Sequence, residues 1–120
     1  MKKVLHLLNY LGNGGTEVYI YLLAKKLHNK KCKFYIAYSQ DGLGRKMFED
    51  MGIELIHLEM KSPFDLYAAK ELKRICKELD IDVIHTHFLR ENYISIFSKL
   101  RGNNPKLIHT RHMLLEILEG

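Results

Sequence analysis

Five short apolar runs, each followed by a segment with helical periodicity, constrain this chain more than any other feature. Lys3–Leu8, Phe34–Tyr38, Ile53–Leu58, Asp82–Thr86 and Lys106–Thr110 are the runs. Each is too short to cross a membrane and carries apolar residues at both odd and even positions, the pattern of a strand covered on both faces. Between them, Ile20, Leu23, Ala24 and Leu27 repeat at helical spacing, as do Ala68, Leu72, Ile75 and Leu79, with Lys70, Lys73, Arg74 and Lys77 on the outer face of that second segment. Arg45–Met51 reads as a short helix stopped by Gly52, and Tyr93, Ile96, Phe97 and Leu100 mark a further helix closed near Gly102. The stretch from Met113 has helical character. Strand and helix in alternation give an α/β domain with a doubly wound parallel sheet, Rossmann-like, with expected strand order 3-2-1-4-5.

Composition supports one globular unit. The 120 residues are 47% hydrophobic and 28% charged, which excludes a disordered chain. Cys32 and Cys76 form no Cys-x-x-Cys pair, which excludes a disulfide framework or zinc ribbon and suits a reducing compartment. Met1-Lys2-Lys3-Val4 lacks the apolar core and cleavage site of a secretory leader, so a cytoplasmic location is expected. The net charge of +5 is concentrated at Lys25, Lys26, Lys30, Lys31 and Lys33. Such a cluster either complements a helix C-terminus or meets an anionic surface, and a peripheral contact with the inner face of a membrane is the functional form of the second reading. Nucleic acid is not expected as a partner.

Order 3-2-1-4-5 places a ligand where the sheet's winding reverses, between the first and fourth strands. The loops there are Asn9–Gly15, with three glycines, and His87–Arg90; the loop after the fifth strand opens with Arg111-His112. Gly12, Gly14 and Gly15 let a ligand approach the backbone, Thr16 is placed to cap the helix that follows, and Glu17 falls in its first turn. A dinucleotide fingerprint would need glycine where Glu17 stands, and the Gly-Lys-Ser/Thr of a nucleotide-hydrolase loop is missing. His85 and His87 alternate onto one side of their strand, about 7 Å apart. His85 is expected to be packed and His87 free to meet a ligand; His109 and His112 repeat the arrangement. No carboxylate or thiol stands at a compelling metal spacing from these imidazoles, Glu91 belonging to the next helix, so no metal is expected. Arg90 and Arg111 are candidate anion ligands.

Three of these segments together resemble the N-terminal half of a family 4 retaining glycosyltransferase of the GT-B fold. They are Gly14-Gly15-Thr16-Glu17 opening the first helix, Asp82-Val83-Ile84-His85-Thr86-His87 ending the fourth strand, and Thr110-Arg111-His112 after the fifth. The resemblance spans essentially the whole chain. It implies transfer of a sugar, with retention, from a nucleotide-sugar donor to a glycan, lipid-linked or small-molecule acceptor, with no metal or other cofactor. It also implies roles. Gly14 and Gly15 would lie against the donor diphosphate or the acceptor, His87 would line the acceptor side, and His112 would stand near the anomeric carbon. Thr16, Glu17, Arg90 and Arg111 would complete substrate binding. The donor-nucleotide site of such enzymes lies mainly on a second, C-terminal domain that this chain lacks. Residues 1–120 are therefore expected to be the acceptor-side half of a two-domain enzyme, inactive alone. Two other classes remain on the residues themselves: a nucleotide- or phosphate-binding module of another doubly wound family, and a non-enzymatic flavodoxin-like signalling domain.

Overall fold

The computed structural model describes residues 1–111. In chain order they form β1 (Lys2–Tyr10), α1 (Gly15–Leu27), β2 (Cys32–Gln40), α2 (Arg45–Glu49), β3 (Glu54–His57), α3 (Leu66–Leu79), β4 (Val83–Thr86), α4 (Leu89–Leu100) and β5 (Lys106–His109). The strands pair in parallel in the order β3-β2-β1-β4-β5, as expected. The helix expected from Met113 lies outside the described residues.

β1 and β2 run further than their apolar cores because they pair with each other from Lys2↔Cys32 to Tyr10↔Gln40. Asn9 and Tyr10 are therefore strand rather than loop. Side chains alternate across the sheet. Leu5 and Leu7 of β1, Tyr35 and Ala37 of β2 and Ile84 of β4 pack under α3 through Ala68, Leu72 and Ile75. Leu8, Phe34 and Ile36 pack on the opposite face against Ile20 and Ala24 of α1 and Phe48 of α2. Each fully buried Leu, Ile or Phe side chain among these contributes roughly 1.5–3 kcal/mol of transfer free energy.

Local signals set the helix ends. The Asp65 carboxylate accepts from the Ala68 amide at 3.0 Å and starts α3, and Asp80, in the left-handed region at φ 55°, ends it. α4 buries Glu91, Ile94, Ser95 and Ser98, while Ile96 and Leu100 face outward. The two serine hydroxyls donate back to the carbonyls of Glu91 and Ser95, at 2.8 Å each, so the helix buries them without orphaned donors. Cys32 and Cys76 are free thiols, and burial pushes the Cys76 thiol up to about 11, a core residue rather than a nucleophile.

Candidate functional site

At the carboxyl edge of the sheet, where the winding reverses between β1 and β4, lies a cavity of about 430 Å³. The N-terminal turns of α1 and α4 form two of its walls, and Asn9 and Tyr10 of β1 contribute to a third. Of the residues expected at a ligand site, Gly14, Gly15, Thr16, Glu17 and Arg90 all line it.

The glycine segment is built by its neighbours. Gly14, extended at φ −79° and ψ −172°, is the cap residue of α1, and the Glu17 carboxylate reaches back to accept from its amide at 3.2 Å. Thr16 is thus not the cap. Because Gly15 already takes helical geometry, Thr16 sits one position into the helix, with its side chain 1% exposed and its hydroxyl unpartnered. From the other side, the Gly44 amide donates to the Leu11 carbonyl at 3.0 Å, and a Cβ at Gly44 would fall on the carbonyl oxygen of Gly12. The turn before α2 therefore holds the β1–α1 loop in place, a contact that no local pattern announces.

Glu91 is the residue that sequence reasoning missed. It is the third residue of α4, as Glu17 is of α1, and both carboxylates line the cavity. Glu91 is 1% exposed. The amides of Asn9 and of Glu91 itself donate to its carboxylate, yet burial outweighs them and pushes its pKa up to about 7. Its Oε2 has no hydrogen-bond partner among the described residues, nor do Asn9 Oδ1 and Thr16 Oγ1. The usable signal was the repeat of an acidic residue in the first turn of a helix that opens at the switch point. Arg90 beside it donates from Nη1 to the Met60 carbonyl at 3.0 Å.

The histidines are arranged differently from expectation. His87 is 1% exposed and does not line the cavity. β4 ends at Thr86, and His87 turns under α1, where the Tyr19 ring meets it edge-on at 6.1 Å. Its Nε2 lies 3.1 Å from Nδ1 of His6, which is in register with His85. The three rings stack, with centroids 4.4 Å apart for His85 and His87, 4.9 Å for His6 and His85, and 5.4 Å for His6 and His87. Burial, then His87 and His85, hold His6 well below the usual imidazole range, so it is neutral. A ring nitrogen from each of the three lies within 4.8 Å of the others, a metal-capable grouping that the sequence reading did not assemble. The ring planes are inclined to one another by 18°, 24° and 33°. His109 is in register with Thr86, on the other face, and shares a 2.9 Å hydrogen bond with its hydroxyl. Strand-end histidines are thus divided between the two faces. Arg111 is exposed, and His112 lies outside the described residues.

The five clustered lysines are all exposed, at the end of α1 and the start of β2. That is the amino edge of the sheet, opposite the cavity. Among the described residues no helix is long and apolar enough to cross a membrane.

Residues 13–119, which include Gly14-Gly15-Thr16-Glu17, His85, His87 and the first turns of α1 and α4, match the family model described as Glycosyltransferase Family 4. The chain belongs to that family. Two solved structures share the fold of this family 4 chain. The crystal structure of Acinetobacter baumannii MurG has a TM-score of 0.71 at 18% identity, covering 92% of this chain and 35% of that one. The structure of Anabaena Alr3699/HepE in complex with UDP and glucose has a TM-score of 0.65 at 15% identity, covering 91% of this chain and 29% of that one. This family 4 chain therefore spans about a third of the length of these solved neighbours, and its sheet is the Rossmann-like half-domain of a GT-B fold. No curated protein matches it in sequence.

Proposed function

We propose that the chain is the acceptor-side half of a glycosyltransferase that moves a sugar from a nucleotide-sugar donor to an acceptor with retention of configuration. The observation that carries this reading is the cavity at the switch point, walled by two helix N-termini, in a chain matched over residues 13–119 by the family model. The UDP and glucose held by the Alr3699/HepE structure support a nucleotide-sugar as donor. In this reading the second domain holds the nucleotide, and this half offers the first turn of α1 from Gly15 onward, the Gly14 amide being held by Glu17, with Arg90 in the cavity wall and Arg111 as candidate cations. Fixed dipoles of this kind stabilise the charge that develops on a departing diphosphate without a metal. His112 contacts the transferred sugar near its anomeric carbon. His87, buried against His6 and Tyr19, positions the floor of the cleft rather than touching substrate.

The test is release of nucleoside diphosphate by the full-length protein with a panel of nucleotide sugars and glycan, lipid-linked and small-molecule acceptors. We expect release with at least one pair, unaffected by a chelator, and a product whose anomeric proton coupling matches the donor's. Loss of about 10²-fold in turnover is expected for His112→Ala, the scale of one transition-state contact. The isolated 120-residue chain is expected to fold but not to turn over, since water is not excluded from half a cleft. Absence of release with every donor, or inversion, overturns the assignment. A lipid-linked acceptor adds a membrane contact through Lys25, Lys26, Lys30, Lys31 and Lys33; equal sedimentation with neutral and anionic vesicles rules that contact out.

A further inference from the structure

We propose that His85 is a positioning residue: its ring, held by His6 and His87, grips the Thr110 hydroxyl and so fixes the direction in which Arg111-His112 leave the end of β5. The proposal rests on the glycosyltransferase reading for what Arg111 and His112 do; what His85 does stands on the geometry.

β5 is a short edge strand among the described residues. It has four residues and pairs with β4 from Val83↔Lys106 to Thr86↔His109. Strand ends of this kind open locally at little cost. The carboxyl end of β5 is nevertheless tied on both faces of the sheet. The Thr110 amide extends the ladder by donating to the Thr86 carbonyl at 3.0 Å. On one face the Thr86 hydroxyl shares its 2.9 Å hydrogen bond with His109 Nδ1. On the other, His85 Nε2 lies 2.6 Å from the Thr110 hydroxyl. That contact is a diagonal one across the strands, since His85 is in register with Ile108. A hydroxyl can donate or accept, so either neutral tautomer of His85 makes the bond.

The ring that holds Thr110 is itself braced. His85 packs on His87 at 4.4 Å and on His6 at 4.9 Å, and those two are joined through Nδ1 and Nε2 at 3.1 Å. Phe34 meets His6 edge-on at 4.6 Å. The position of Thr110 is thereby referred to β1 and β2 at the centre of the sheet, not to the edge alone. Residue 112 follows within about 7 Å of chain. A change of about 10–20° in the chain's direction at Thr110 moves that position by roughly 1–2 Å, against a working tolerance near ~0.5 Å for a group that must meet a reacting atom. Misplacement by about 1 Å costs up to 10²-fold in rate, roughly the loss of the group itself. A packing role would not call for the hydroxyl, because valine fills the same space.

Four variants separate the hydrogen bond from the packing. Thr110→Val keeps the shape and loses the hydroxyl, and Thr110→Ser keeps the hydroxyl. His85→Ala loses the ring, and His85→Gln keeps an amide near Nε2 that can donate or accept. Amide hydrogen exchange of the 120-residue chain should show residue 110 about tenfold less protected in Thr110→Val and His85→Ala, the scale of one hydrogen bond, and near the parent in the other two. In the full-length protein the two disruptive variants should lower kcat by about tenfold or more with KM for the nucleotide sugar little changed, and the conservative pair should restore most of it. In a His112→Ala background the disruptive variants should cost little further, because the group they aim is gone. Thr110→Val, at a half-buried position on the edge strand, decides the outcome if His85→Ala fails to fold. Parental protection in Thr110→Val, parental kcat in it, or an undiminished further loss in the His112→Ala background overturns the proposal. Protection lost as expected, with no nucleoside diphosphate released by the parent, fails the glycosyltransferase reading and leaves the grip of His85 on Thr110 in place.

Discussion

His6 Nδ1 and His87 Nε2 lie 3.1 Å apart across the seam between β1 and β4, with both side chains shut off from solvent. One ring must donate and the other accept, so the pair is stable while both are neutral. Burial first, and then the positive charge that His87 and His85 would share with it, hold His6 below its ordinary value.

Acid stability follows from that pair. The folded-state pKa of His6 is depressed below the ordinary imidazole value of 6.5, so the unfolded chain takes up the proton first. Its contribution is present above 6.5 and is lost as pH falls below that value, at up to about 1.4 kcal/mol per pH unit. His6→Asn keeps a polar group near the position of Nδ1 but does not titrate. Urea unfolding midpoints measured from about pH 5 to pH 8 should fall less steeply toward acid in His6→Asn than in the parent. Parallel curves would show that the stack does not govern acid stability.

Glu91 has the opposite sign. Its pKa is raised from 4.5 to about 7, so the folded state keeps a proton that the unfolded state gives up. Its contribution is fully present below 4.5 and is lost as pH rises through about 7, which costs at most about 3 kcal/mol by the alkaline side. Glu91→Gln should therefore raise stability above neutrality and leave it little changed in mild acid. The difference between the two proteins' unfolding free energies, plotted against pH, checks this; a flat difference would mean that Glu91 ionises as freely as an exposed glutamate.

Two glycines separate packing from backbone conformation. Gly52 sits at φ 76° with nothing within 4 Å of an added Cβ, so Gly52→Ala should cost only the strain of that conformation, about 1 kcal/mol. Gly44→Ala would drive a methyl group into the backbone of Gly12 and should cost about 3 kcal/mol or more, displacing the loop that forms the cavity wall. Thermal melts of the two variants rank them; equal losses would show that the loop yields easily.

Gly14 offers the reverse separation, a tolerant fold with an intolerant site. An added Cβ there meets nothing closer than the Glu17 carboxylate at 3.9 Å, and its φ of −79° suits any residue. Gly14→Val should melt within about 1 kcal/mol of the parent yet occupy cavity volume needed by a ligand. Calorimetry of the variant, and nucleoside diphosphate release by the full-length protein that carries it, give both readings, and full turnover with a stable Gly14→Val variant would move the ligand away from the α1 terminus.

Much of this architecture is legible in the residues. Two-sided apolar runs such as Leu5–Leu8 and Phe34–Ala37 give a covered parallel sheet, and the switch point follows from its order. Gly14, Gly15, Glu17 and Arg90 then fall where topology puts a ligand. What was not legible depends on which strands are neighbours and how close two loops approach. His6 meets His85 only because β1 pairs with β4 in that register, so reading the fourth strand by itself left His87 exposed when it is buried. Glu91 reads locally as a helix-start acid; its burial comes from Asn9, in β1, whose amide it accepts. Gly44 acts through Gly12, two segments away.

The order β3-β2-β1-β4-β5 puts the earliest synthesised of these five strands at the centre of the sheet. β2 and β3 can dock on one side of β1 as they emerge, but its other edge stays open until Val83–Thr86 have left the ribosome. Until then the nascent chain carries an unpaired apolar edge, with His6 titratable in water, and β1 is the segment on which a chaperone or a second nascent chain would act first.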